Sequence, residues 1–229
     1  MQKRTAVFIL FIGVFIFCSA VNAEENVIWK YREGKKDTMD IALSHYNRGL
    51  YLETQDQKEE AVEQYQSAVL IIPDFVEARN NLGAALFDLG RHEEAVLALK
   101  RAIELRPDFA SAHYNLGTVY FALSRFSDAV NEFKAAIELF PNLLDAYINL
   151  AMAYNQVNEF GLAVKNLEFV VDREPDNIKA HYLLASNLNA LRKMKRAYFH
   201  YKRVLELNPD YPEAEEIHKI ISDIEGLSL

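Results

Sequence analysis

Cysteine is almost missing from this chain: of 229 residues, only Cys18 is one. A single thiol closes no intrachain disulfide and builds neither a paired redox motif nor a cysteine-held metal site. Clustered positive charge is missing too. Asp and Glu outnumber Lys and Arg by 33 to 25, for a formal net charge of −8. A phosphate backbone needs the opposite balance, so nucleic acid is not an expected partner. None of the eight glycines sits in a phosphate-cradling loop or a nucleophile elbow. The six histidines do not gather either. His45, His113 and His181 stand 68 residues apart, too far along the chain to converge on one ion, and read as residues packed between helices with their polar edges satisfied. The string HEEAV at 92–96 puts Val96 where a zinc helix needs its second histidine. His200 has no ligand partner one helical turn away, and His218 has only Glu215. No cofactor, no metal and no catalytic activity is expected.

Long hydrophobic runs are also absent, with one exception at the start. Lys3 and Arg4 precede an apolar run from Ala6 to Phe17, and Val21-Asn22-Ala23 offers a small-x-small cleavage site before Glu24. This is the layout of a secretory signal peptide over 1–23, which implies an exported, periplasmic chain. The alternative is an uncleaved anchor in the inner membrane, the one route by which the chain would meet a membrane. Lys30, Arg32, Lys35 and Lys36 then bear on its orientation. Phe17, immediately before Cys18, is too large for a lipoprotein signal. Residues 24–41, with Trp29, Tyr31 and Gly34, read as a tether; whether Trp29 folds back onto the first helix is open.

The rest of the chain is periodic. Pro73, Pro107, Pro141, Pro175 and Pro209 fall at a constant 34-residue step, and so do Ala61, Ala95, Ala129, Ala163 and Ala197. A period this strict means stacked copies of one unit. With each proline as position 32, the copies are 42–75, 76–109, 110–143, 144–177 and 178–211. Apolar residues make up 51 % of the chain. Within each copy they recur at three- and four-residue steps in two blocks, the helical pattern. Between the blocks stand Asp56, Gly90, Ser124, Asn158 and Arg192. Gly, Asn and Asp tolerate the left-handed backbone that ends a helix; Arg192 suits it least and predicts a looser turn.

Each proline closes a second helix. The residue after it, Asp74, Asp108, Asn142, Asp176 or Asp210, is placed to cap the next helix. Glu77 would complete a capping box with Asp74. Acidic pairs such as Glu59-Glu60 and Glu93-Glu94 open second helices, where they favour the positive helix end. Joints this short force antiparallel helix pairs. Small residues at position 8 (Gly49, Gly83, Gly117, Ala151, Ala185) and alanine at position 20 let the two helices approach. Large residues fill positions 11 and 24. A last helix from Pro212 to Glu225 provides the polar cap that a stack needs.

This pattern strongly resembles the tetratricopeptide repeat over 42–211, with NLG at 81–83 and 115–117 in its best copies. Departures are modest: position 4 is His45, Arg79, His113, Tyr147 or His181, Arg48 replaces a leucine, and Val170 and Val204 replace alanine. The resemblance implies an all-α, right-handed superhelical solenoid of five repeats with a C-terminal capping helix over 212–225. It implies a scaffold or adaptor that binds a protein or peptide segment in a concave groove, as in the assembly of bacterial envelope complexes. A self-associating homo-oligomer is the other reading of such a stack.

By that resemblance, positions 2, 5, 6, 9, 12 and 13 line the concave wall. Position 6 supplies Asn47, Asn81, Asn115 and Asn149 before breaking at Leu183. An amide ladder can donate to and accept from a peptide backbone; the competing reading is ordinary repeat chemistry. Tyr46, Phe87, Tyr114, Phe121 and Tyr182 are anchors for a bound segment or packing between first helices. Glu53, Glu77, Asp88 and Asp145 face one lysine, Lys179, so the wall disfavours acidic tails. A clamp for a C-terminal carboxylate is incomplete. Its cations are missing from the first three copies, which supply Tyr46, Leu50, Asn81, Ser111 and Asn115; in copies three to five Tyr114, Thr118 and Leu183 stand beside Asn149 and Lys179.

Overall fold

A computed structural model describes residues 36–226, with side chains from Thr38 onward. The segment 1–23, Trp29 and Tyr31 lie outside the described residues. Among those residues there are eleven helices and no strand. Copy one holds α1 (Lys36–Thr54) and α2 (Lys58–Ile71); copy two α3 (Val76–Asp88) and α4 (His92–Leu105); copy three α5 (Ala110–Ala122) and α6 (Phe126–Leu139). Copy four holds α7 (Leu144–Gln156) and α8 (Phe160–Val171), copy five α9 (Ile178–Ala190) and α10 (Met194–Leu207), and α11 (Ala214–Gly226) ends the stack. Within a copy the two helices pack on each other, and each second helix packs on the first helix of the next copy. From copy two onward, consecutive first helices also touch. This row of first helices forms the inner wall of the stack.

The turn between the two helices is one conformation used five times. Asp56, Ser124, Asn158 and Arg192 all have φ near +60°, and Gly90 has +73°. The looser turn expected at Arg192 is not found: its φ is 57°, and Lys193 N–H closes on Leu188 C=O at 2.9 Å, as Arg125 N–H closes on Tyr120 C=O at 2.8 Å. The hydrogen bond across the turn outweighs the cost of placing one β-carbon in the left-handed region.

The caps also differ from expectation. The N-cap residues are Phe75, Phe109, Leu143 and Asn177, one place later than Asp74, Asp108, Asn142 and Asp176. Phe75 N–H bonds back to Ile72 C=O at 3.0 Å, so Asp74 lies inside that turn and not at the helix mouth. Only Asn177 caps with its side chain, accepting from Ala180 N–H at 2.9 Å. Asp74 and Asp176 instead face Arg101 and Arg203 of the next copy, at 3.8 and 2.6 Å. Glu77 forms no capping box; it pairs with Arg106 at 2.7 Å. One further correction concerns the tether: residues 36–41 belong to α1.

Position 8 shows why small residues are needed. A β-carbon on Gly49, Gly83 or Gly117 would lie 2.6, 2.5 or 2.8 Å from Tyr65, Leu99 or Phe133, the position-24 residue of the same copy. Those three side chains are fully buried, as is Leu167 behind Ala151. At the far end, Ile217 and Ile224 of α11 are buried against copy five, while Glu215, Glu216, Lys219 and Asp223 stay in solvent.

Candidate functional site

Two hydrogen-bond systems, each repeated from copy to copy, set the geometry of the inner wall. The first uses position 4. Arg79, His113, Tyr147 and His181 each reach the carbonyl of the proline six residues earlier, at 2.7, 3.0, 3.2 and 2.9 Å. Three kinds of side chain thus tie one copy to the end of the last. The carbonyl is free because the proline has ended its helix. Three of the histidines also reach position 23: His45 to Gln64 at 2.8 Å, His113 to Glu132 at 2.6 Å, and His181 to His200 at 2.9 Å. The hydrogen bond to Glu132 holds the His113 imidazolium above its ordinary pKa. Burial, followed by the charge of His181, pushes His200 down to about 4.

The second system is the amide ladder. Asn81 donates to the Tyr46 hydroxyl at 3.2 Å, Asn115 to Asn80 Oδ1 at 2.9 Å, and Asn149 to the Tyr114 hydroxyl at 3.1 Å. Every rung therefore runs from position 6 of one copy to position 5 of the copy before. The ladder ends where both positions turn apolar, at Ile148 and Leu183, which share one hydrophobic cluster. Sequence reading missed this pairing because position 5 varies (Tyr, Asn, Tyr, Ile, Tyr). The signal was nevertheless there: a polar position 5 precedes each asparagine, and an isoleucine precedes the leucine.

The structure gathers four of the expected residues at one place. Phe87, Tyr114, Asn115 and Asn149 line a hollow of about 40 Å³, together with Ala84, Thr118 and Val119. Ala84 and Thr118 occupy position 9, where the flanking copies have Leu50 and Met152, so two small residues open the depression. That contrast was readable in the sequence. The remaining expected residues lie elsewhere. Asn47 is exposed on α1, with no earlier copy beside it among the described residues. Asn81 is buried, and its Oδ1 accepts from Asn80 at 3.1 Å. Phe121 packs edge-on against Phe126, their ring centres 5.3 Å apart. Tyr182 sits at the far end between Tyr201 and Tyr211.

Burial, then the charge of Asp145, pushes the Tyr114 hydroxyl up to about 12, so it is a neutral donor at any physiological pH. Burial and neighbouring Glu174 raise Asp145 in turn, against the pull of Lys179. Of the other wall acids, Glu77 is neutralised by Arg106, and Asp88 pairs with Lys58 at 3.3 Å. Among the described residues no group of three or more His, Cys, Asp or Glu is placed to hold a metal ion.

Against known families, the description "TPR repeat" matches residues 54–90 and 85–124, and "Tetratricopeptide repeat" matches 110–143, 144–177 and 178–211. The chain belongs to the tetratricopeptide repeat family. Among solved structures, MamA from Desulfovibrio magneticus RS-1 is similar at 24 % identity with a TM-score of 0.70, over 75 % of this chain and 97 % of that one. YrrB, described as a TPR protein with an unusual peptide-binding site, is 19 % identical with a TM-score of 0.70, over 81 % of this chain and 96 % of that one. At this identity the likeness establishes the fold. No curated protein matches the chain.

Proposed function

We propose that this repeat protein is a non-catalytic scaffold that holds an extended segment of a partner protein in its concave trough. We place it outside the cytoplasm, in the periplasm, in the assembly of a bacterial envelope complex. The hollow between copies two and four carries the peptide reading. Its floor is apolar, its rim offers two amides and a neutral phenol, and it lies on the wall of first helices. Asn115 and Asn149 each commit one N–H to the stack. Their second N–H and their carbonyl oxygen remain available to a peptide backbone. Asn81, enclosed between Asn80 and Tyr46, serves the stack rather than the ligand. YrrB's description as a peptide binder on the same fold supports the reading.

A photo-crosslinking residue at Thr118, inside the hollow, tests it against one at Glu104, on the exposed surface of α4. The expected result is a specific adduct from position 118 and none from position 104. Adducts from 104 alone would move the binding surface to the outside of the stack. Export rests on residues 1–23, and the intact mass of the purified chain tests it: cleavage leaves Glu24 first. A retained Met1 would make the same trough part of a membrane-anchored adaptor.

A further inference from the structure

Position 12 is aromatic in copies two and three. Phe87 packs on His92 with ring centres 5.3 Å apart, and Phe121 packs on Phe126 at the same distance. Copy one carries Glu53 at this position, half-buried at the end of α1. Among the described residues no Lys or Arg pairs with it: Lys58, the cation that acts on it, sits 3.3 Å from Asp88 and 3.8 Å from Asp56. Beside Glu53 lies the Tyr65 hydroxyl, fully buried and without a hydrogen-bond partner. A buried phenol without an acceptor, next to a carboxyl without a cation, is an unfinished site. Burial is the main reason that Glu53 is raised to about 7, so the empty corner keeps a proton that an exposed carboxyl would lose. A cation arriving from the trough would drive that proton off and give the phenol an ionised acceptor.

We propose that this corner of Glu53, Tyr65 and Asp88 receives the ammonium or guanidinium of a Lys or Arg in the captured segment, about four residues from the small aliphatic side chain that enters the hollow. The proposal rests on the trough reading above and names the chemistry of the segment. Asp88 directly follows Phe87, which lines the hollow, so corner and hollow are neighbours on one wall. The middle of the hollow lies roughly one and a half helix separations of 8–10 Å from α1. An extended segment covers that span in about four residues. Residues i and i+4 of such a segment point to the same side, so both side chains face the wall together. A hollow of about 40 Å³ takes a group the size of Ala or Val and not an aromatic ring. Charge selects a cation for the other place: Lys58 and Tyr65 of α2 and Asp88 of α3 face Glu53, and the two carboxyls outnumber the one ammonium. A bare metal ion fits worse, because these two carboxyls fall short of the oxygen shell that calcium or magnesium needs.

A random-peptide display library, selected on the full chain at pH 8, tests this. Wild type should enrich peptides with Lys or Arg about four residues from Ala or Val. Glu53→Gln keeps the shape of the side chain and removes its charge; it should lose the basic preference and keep the small aliphatic one. A selected peptide, followed by fluorescence anisotropy, should bind wild type at least about ten-fold more tightly at pH 8 than at pH 5.5, because binding releases the Glu53 proton. Its affinity for Glu53→Gln should change little over the same range. Thr118→Trp, which fills the hollow, is the reference for the trough reading, with helicity checked for both variants. Peptides that need an open hollow but bind Glu53→Gln as tightly as wild type overturn the proposal and leave the trough reading standing. A Glu53→Gln loss of equal size at both pH values also overturns it. Peptides indifferent to Thr118→Trp, or a library from which nothing is enriched, overturn the trough reading and this proposal with it.

Discussion

Asn115 donates to the carbonyl oxygen of Asn80 at 2.9 Å, across the boundary between copies two and three. Asn80 is almost fully buried, so that oxygen has no recourse to water. Asn115→Leu should cost about 1–3 kcal/mol, the range for stranding a buried polar group. The chain itself shows the remedy. Between copies four and five the rung is Ile148 with Leu183, so adding Asn80→Ile to Asn115→Leu should recover most of the loss. The residue of the cost comes from the Asn80 bond to Asn81. Urea unfolding of the two single variants and the double variant measures the coupling; an additive double variant would mean that the rung contributes nothing as a pair.

Gly83 stands 2.5 Å, measured from where its β-carbon would be, from Leu99 Cγ. Gly83→Ala gains roughly 1 kcal/mol of helix propensity. It must also push α3 from α4 between two neighbours already stacked, and overpacking of this kind typically costs about 1–3 kcal/mol. Net destabilisation is expected. Copy four carries Ala151 with Leu167 at the same two positions, both buried, so the pair is compatible with the repeat and the cost lies in resetting one helix separation inside an assembled stack. Gly161→Ala meets nothing within 4 Å and should be neutral or slightly stabilising. Thermal melts of the two variants compare the sites directly, and equal Tm values would contradict the close-approach argument.

Much of this was legible from residue spacing. The five prolines, the small residues at position 8 and the residues at the left-handed turn each mark a point where the backbone admits few alternatives. Four features were missed, for definite physical reasons. The helix mouth lies one residue late because Phe75 N–H closes a turn onto Ile72 C=O. The capping position is thereby given to an aromatic that packs on Tyr46, their ring centres 5.0 Å apart. Arg192 keeps the common turn because hydrogen bonds on both sides of it outweigh one residue's preference. The asparagines stand out in the sequence as a ladder, but their partners at position 5 do not, since a phenol and an amide serve equally well as acceptors. The hollow escaped because it is made by small residues at position 9, and a missing side chain is harder to see than a present one.

Glu53 gives the fold a pH dependence of unusual sign for a carboxylate. Burial is the main cause, with the nearby Tyr65 hydroxyl and Lys58 opposing and the charge of Asp88 adding, and together they raise the group from 4.5 to about 7. The unfolded chain releases this proton at the ordinary pH, whereas the folded chain retains it. Between roughly pH 4.5 and 7 the native state therefore binds more protons than the unfolded state, and stability attributable to this site falls as pH rises through that window. Below pH 4.5 both states are protonated and the contribution is constant. Glu53→Gln removes the titration while keeping a neutral hydrogen-bonding side chain. The variant should gain stability over wild type as pH rises from 5 to 8, and the two should converge near pH 4.5. Melting curves at half-unit pH intervals decide this; parallel Tm profiles for the two proteins would show that the Glu53 carboxylate ionises normally beside Tyr65.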